Sequence, residues 1–241
     1  MRISVIVPAF NEERLIGETL RRIQSVLDPF SRRGWEMELI VCDNNSTDRT
    51  AEIARNAGAI VVFEPINQIA RARNRGAEAA TGDWLIFIDA DSHPSAALLN
   101  DVAAQIESHG CLGGGCTVIL DGNYPKANWI VQMWNGISRT FHWVAGSFIF
   151  CEAKAFRDIS GFSDKLFASE EIEFSKRLKR LARSRKKKIV ILHRHPLVTS
   201  ARKLHLYTAR EHLSFMLRTV LCGGKTLTSR EACHTWYDGR R

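Results

Sequence analysis

Four short apolar runs with no polar alternation constrain this chain more than any other feature. They are Ile3–Val7, Glu38–Cys42, Ile60–Phe63 and Trp84–Ile88. A strand wetted on one face alternates in polarity, whereas a strand covered on both faces reads as a continuous β-branched run. Helical patterns separate the runs. Asn11 is placed to cap a helix that buries Leu15, Ile16, Thr19, Leu20, Ile23 and Leu27 and ends before Pro29. Ser46 or Asp48 caps a second, Ile69–Ala80 forms a third, and Pro94 opens a fourth that reaches about Ser108. Strand and helix in strict alternation predict a mostly parallel central sheet flanked by helices on both faces, an α/β fold.

The second half is less regular. Strands are expected at Leu112–Leu120, Ser147–Cys151 and Ile189–Leu192, and helices at Trp129–Phe141, Glu170–Ala182 and Lys203–Leu221. With 241 residues, no repeat and no low-complexity linker, one domain over residues 1–202 is expected, with a helical extension over 203–241 packed on it. The six cysteines form no C-x-x-C pair and several lie in apolar runs, so they read as reduced thiols. Ile3–Ala9 lacks the basic flank and cleavage site of a signal peptide, and Trp129–Cys151 is interrupted by Asn135, Arg139 and His142. The chain therefore reads as cytoplasmic, soluble or peripheral at the inner face of a membrane.

In open parallel sheets, ligands bind outside the carboxyl ends of the strands. Three such ends carry chemistry here: Pro8–Glu12, Asp43–Asp48 and Asp89–Asp91. Two carboxylates separated by one small residue, as in Asp89-Ala90-Asp91, can share Mg²⁺ or Mn²⁺, hard cations that take oxygen ligands and complete their shell with phosphates. Taken alone, the same triplet also serves as an Asp-rich turn. A net charge of +8 suits an anionic partner.

The motifs occur in a telling order. Val5-Ile6-Val7-Pro8-Ala9-Phe10-Asn11-Glu12 comes first, then Ile40-Val41-Cys42-Asp43-Asn44-Asn45-Ser46-Thr47-Asp48. Ala72-Arg73-Asn74-Arg75-Gly76 and Phe87-Ile88-Asp89-Ala90-Asp91 follow. The series ends with Ala145-Gly146-Ser147-Phe148, Gly161-Phe162 and Glu170-Glu171-Ile172-Glu173-Phe174. It resembles the inverting nucleotide-sugar glycosyltransferases of family 2. The resemblance implies a single Rossmann-like GT-A domain and a divalent metal, Mn²⁺ or Mg²⁺. It also implies a nucleoside-diphosphate-sugar donor and an acceptor hydroxyl on a saccharide or lipid-linked molecule. Pro8, Asn11 and Glu12 would line the nucleoside pocket, Asp43 would bond the base, and Arg73 would sit near the nucleotide. Asp89 would lie near the ribose or metal, and Asp91 would ligate the metal.

Helix geometry bears on the last motif. At about 100° per residue, Glu171 shares the side of Phe174, Leu178 and Leu181, whereas Glu170 and Glu173 are rotated away. The family uses the second acidic residue of this pair as catalytic base and commonly has Asp there. This chain has Glu171, and Glu170 remains the alternative. The same departure leaves room for a second reading, a catalytically silent nucleotide-sugar-binding module. At the end of the Ile189–Leu192 strand, His193 and His195 flank Arg194, and His195 is the candidate metal ligand. Pro196–Arg202 resembles a diphosphate-contacting segment of some relatives, which points to Arg202.

Nine of the thirteen residues from Lys176 to Lys188 are basic. No RNA- or DNA-reading motif accompanies them, so nucleic acid is not an expected partner. With Trp129, Trp134 and Trp143, they suggest a peripheral membrane contact or an acceptor groove.

Overall fold

Alternate side chains of the buried strands enter two separate cores, as continuous apolar runs require. Val5, Val7, Val41, Ile86 and Ile88 pack on one face with Leu20, Ile23, Leu98 and Val102. Ile6, Ile40, Leu85 and Phe87 pack on the other with Phe156, Phe162, Phe174 and Leu178. The computed structural model describes residues 1–122, 124–201, 225–229, 231 and 233.

The elements follow the expected alternation. β1 (Arg2–Ala9), α1 (Ile16–Ser25), α2 (Asp28–Ser31), β2 (Glu36–Asp43), α3 (Thr50–Asn56), β3 (Ile60–Phe63), α4 (Ile69–Ala79) and β4 (Trp84–Ile88) come first. β5 (Ser92–His93), α5 (Ala96–Glu107), β6 (Cys111–Leu120), α6 (Pro125–Phe141), β7 (Phe148–Glu152), α7 (Ala153–Asp158), α8 (Glu170–Ser184) and β8 (Lys188–Thr199) follow. The sheet order is β3-β2-β1-β4-β7-β6-β8-β5. β1, β2, β3 and β4 pair in parallel, as do β6 and β8, while β7 runs antiparallel between β4 and β6. β5 lies only four residues beyond β4 yet pairs with the end of β8, Ser92 opposite Thr199. Asp89-Ala90-Asp91 therefore spans from a central strand to the rim of a curled sheet.

Gly114 shows why β6 carries a glycine run. A Cβ there would fall 2.0 Å from the Val190 carbonyl oxygen, so the β6–β8 approach admits no side chain.

Several boundaries differ from expectation for local reasons. Asn11 does not cap α1. It adopts a left-handed conformation (φ 52°), and the helix starts at Ile16. Pro29 sits in the first turn of α2, where a missing N–H is harmless. Ser95 rather than Pro94 caps α5, accepting from Leu98 N at 3.1 Å. β8 continues past Leu192 to Thr199. The register jumps from Cys116 opposite Leu192 to Val118 opposite Leu197, so His193–Pro196 form a bulge in which Pro196 needs no ladder donor. The helix expected at Lys203–Leu221, Arg202 and most of the 203–241 extension lie outside the described residues. Among the described residues no helix is long and apolar enough to cross a membrane. Cys42, Cys111, Cys116, Cys151 and Cys233 are buried and outside any disulfide, and burial pushes the Cys116 thiol up to about 12.

Candidate active site

The loops that follow β1 and β2 are laced together at the carboxyl edge of the sheet. Asn11 N donates to Ser46 Oγ at 3.0 Å, and Asn11 Oδ1 accepts from Thr47 N at 2.8 Å. Glu12 N donates to Thr50 Oγ1 at 2.8 Å, and Glu13 N to Asp48 Oδ2 at 3.1 Å. Burial opposes the charged form of Asp48, but bonds from Thr50 and the Glu13 backbone outweigh it and hold the carboxyl below its usual range. Asp43, in register with Ala9, accepts from Ser46 N at 3.0 Å and is nearly buried, as is Glu12. Pro8, one residue earlier, is buried in β1 opposite Cys42. Pro8, Asn11, Glu12 and Asp43 thus share one corner, and Asn11 spends its side chain on joining the two loops.

Arg73 is the hub of the neighbouring corner. It is 1% exposed and reaches from α4 to three acceptors. Nη1 donates to Glu170 Oε1 at 2.6 Å, and Nη2 donates to Asp89 Oδ1 at 3.1 Å and to the Gly146 carbonyl at 2.8 Å. The guanidinium lies 5.3 Å from the centre of the Phe162 ring. Burial works against its charge, yet Asp89, Glu170 and Glu171 together overcome that and raise its pKa. An arginine so enclosed is an internal clamp, with its terminal nitrogens turned toward protein rather than outward to a ligand.

The two glutamates differ in kind. Glu170 is 4% exposed, more enclosed than helix periodicity implies. It is the first residue of α8, directly after Ser169 in a left-handed conformation (φ 62°), so its side chain leaves the helix end toward Arg73. Glu171 lies near the same clamp: a Cβ on Gly146 would come 3.1 Å from Arg73 Nη2 and 3.8 Å from Glu171 Cδ. Burial pushes the Glu171 carboxyl up to about 8. The Glu170 charge adds to that shift and Arg73 opposes it.

Sequence reasoning missed the residues that hold this corner. Gln68 Nε2 donates to the Asp164 and Leu166 carbonyls at 2.7 and 2.8 Å, and Asn74 exchanges two hydrogen bonds with the Phe162 backbone. Ser175 Oγ accepts from Val144 N at 3.0 Å, tying α8 to the segment that leads into Gly146. Gln68 and Ser175 are buried polar residues, one at the start of α4 and one within α8, and Asn74 is half-buried.

Asp91 sits on the rim, where its carbonyl accepts from Ser200 N at 3.1 Å. Asp89 and Asp91 offer oxygen donors only, which suits Mg²⁺ or Mn²⁺ completed by phosphate oxygens. Among the described residues no group of three His, Cys, Asp or Glu side chains is arranged to hold a metal ion. The structure pairs His195 with an acid of α5. It lies in the β8 bulge with Nδ1 2.9 Å from Asp101 Oδ2 of α5. His193, in the same bulge, is exposed.

The sequence profile of Glycosyl transferase family 2 matches residues 4–164, two thirds of the chain, and the chain belongs to that family. Glycosyltransferase AglE of Haloferax volcanii is 28% identical over 193 residues, which cover 73% of this chain and 60% of AglE. The 4,4'-diaponeurosporenoate glycosyltransferase of Staphylococcus haemolyticus is 36% identical over 115 residues, 43% of this chain and 29% of that protein. Among solved structures, the mannosyltransferase PcManGT of Pyrobaculum calidifontis in complex with GDP-Man and Mn²⁺ has a TM-score of 0.67 at 21% identity. That match covers 89% of this chain and 61% of PcManGT. Likeness at this identity speaks to the fold, which is the GT-A arrangement. The chain spans less than two thirds of the length of each of these relatives.

Proposed function

We propose that the protein transfers a sugar from a nucleoside-diphosphate sugar to an acceptor hydroxyl, with inversion and with the help of a divalent cation. One observation carries the reading. Asp43 ends β2 and Asp89 follows β4 at the carboxyl edge where such sheets bind ligands, and Arg73 ties Asp89 to Glu170, 81 residues further along the chain. Family membership supports the donor class, and PcManGT was solved with GDP-Man and Mn²⁺.

Asp43, with Pro8 and Glu12 around it, would receive the base. A carboxylate accepts from a base N–H, and the bond from Ser46 N aims it. Asp91, with Asp89 beside it, would hold Mn²⁺ or Mg²⁺, which when bound neutralises charge on the departing diphosphate. Arg73 serves as a positioning residue that fixes Asp89 from one nitrogen and Glu170 from another. Glu171 is the general base of choice, because Glu170 is already committed to Arg73 at 2.6 Å. The raised pKa of Glu171 makes it a strong enough base to take the acceptor's proton as that oxygen attacks the anomeric carbon. Inversion follows from a single in-line displacement. A double displacement would need a nucleophilic carboxylate on the opposite face of the sugar. Arg202 remains a proposed diphosphate contact, and the acceptor is proposed to be a saccharide or lipid-linked alcohol.

A thermal-shift panel of nucleotide sugars, each with and without Mn²⁺ or Mg²⁺, tests the donor class. Stabilisation by one nucleoside-diphosphate series, larger with metal, supports the reading. No shift with any donor contradicts it. The silent-module alternative predicts the same stabilisation without donor turnover.

A further inference from the structure

The outer face of α6 is apolar and faces water. Trp129 is 68% exposed, Ile130 55%, Met133 48% and Phe141 51%. At about 100° per residue these four, with the partly buried Ile137, fall within an arc of roughly 120°. The opposite face anchors the helix. Asn135 bonds both the N–H and the carbonyl of Val118 in β6, and Val131 and Trp134 pack on the core. The exposed arc is thus a fixed surface on a seated helix, and an apolar patch of this kind on a soluble domain marks an interaction site.

A strip of cations adjoins it. Lys179 Nζ donates to the Phe141 carbonyl at 3.1 Å, and Lys176 Nζ lies 5.6 Å from the centre of the Trp143 ring, which itself stacks on Phe141. Lys176, Lys179, Arg180 and Arg183 share one side of α8. None of them forms an ion pair among the described residues, whereas Arg177 and Arg185 on other sides pair with Glu173 and Asp158. Arg139 adds an exposed cation on α6 itself. A helix with Trp, Met and Phe outward beside unpaired Lys and Arg is the chemistry of an interface helix on an anionic bilayer.

We infer that this face docks on a membrane containing anionic lipid, with the α6 arc in the headgroup region and the α8 strip against lipid phosphates. Topology sets what this achieves. α6 leaves the carboxyl end of β6 and returns, through Gly146, to the amino end of β7 opposite Ile88. Both ends of the helix therefore stand at the edge of the sheet where Asp89 and Arg73 lie, and a docked α6 holds that edge near the lipid. The inference is independent of the transfer reading, because binding requires neither donor nor cation.

Co-sedimentation of the full chain with vesicles, in the absence of nucleotide and metal, tests it. Binding is expected to vesicles of phosphatidylcholine with phosphatidylglycerol, weakened by high salt, and at least about tenfold poorer to phosphatidylcholine alone. The triple variant Trp129→Ser/Met133→Ser/Phe141→Ser changes only half-exposed or exposed side chains. It is expected to keep the wild-type melting temperature and to bind at least about tenfold more weakly. Lys176→Gln/Arg180→Gln/Arg183→Gln is expected to lose the preference for the anionic lipid. Absence of binding to the anionic vesicles, or equal binding by wild type and both variants, overturns the inference. So does a wild-type dimer that the serine variant dissociates while neither form binds vesicles.

Discussion

Arg73 Nη1 and Glu170 Oε1 meet at 2.6 Å although 97 residues separate them, and both side chains are almost wholly buried. The pair joins α4 to the first turn of α8 beneath the candidate site. Its second nitrogen on Asp89 extends the clamp to the end of β4.

Removing the guanidinium should therefore strand the buried Glu170 carboxylate and take one partner from the half-buried Asp89. Breaking a buried pair from one side typically costs about 3–5 kcal/mol, a large share of the roughly 5–15 kcal/mol that stabilises a domain. Arg73→Ala should lower the urea midpoint accordingly. Arg73→Ala/Glu170→Gln should recover part of the loss, because one stranded charge is gone. A midpoint unchanged in Arg73→Ala would show that the clamp contributes nothing.

Glu171 gives the ligand-free protein a pH signature. Its folded pKa of about 8 lies above the ordinary carboxylate value of 4.5 from which it is raised. Between those values the native state holds a proton that the unfolded chain has released. Stability from this group is thus present in full below the lower value and is lost as pH rises through the upper one. Melting temperatures measured without metal at pH 5 and pH 8 should fall in wild type, and Glu171→Gln should reduce that fall. An identical pH response in the variant would deny Glu171 the shift.

The same group should shape catalysis. If Glu171 takes the acceptor's proton, kcat/KM rises with pH toward about 8 in the free enzyme. Glu171→Gln should lose at least about 100-fold in turnover while still binding donor, within the range general bases contribute. Glu170→Gln should act chiefly on stability. Reversal of those two effects would assign the base to Glu170.

Gly114→Ala tests the packing of the sheet rather than its chemistry. The added Cβ would meet the Val190 carbonyl at 2.0 Å, a backbone atom that no rotamer change moves aside. A loss of at least about 3 kcal/mol is expected from overpacking against fixed backbone. Chemical denaturation would reveal it.

Much of the scaffold was legible in the chain because burial on both faces leaves a plain mark. Val5, Val41 and Ile86 enter one core while Ile6, Ile40 and Phe87 enter the other. The strand ends bearing Asp43 and Asp89 followed directly. What periodicity misjudged was the end of a helix: Glu170 escapes the arithmetic of the α8 body because it precedes the first full turn. Asn11 as a helix cap and the end of β8 at Leu192 were misjudged for a related reason. A left-handed residue and a bulge redirect side chains, and neither leaves a periodic trace. The clamp itself needed coordinates, since nothing in the spacing of Arg73 and Glu170 announces that they touch.

The central claim is that the acids at the carboxyl edge act on one nucleotide-sugar. Release of nucleoside diphosphate from a panel of nucleotide sugars with Mn²⁺ present, comparing wild type with Asp91→Ala, tests it most directly. The account predicts release from one donor series by wild type and at least about 100-fold slower release by Asp91→Ala, with the fold intact by circular dichroism. Release at equal rates by both proteins, or from no donor by wild type, would contradict it.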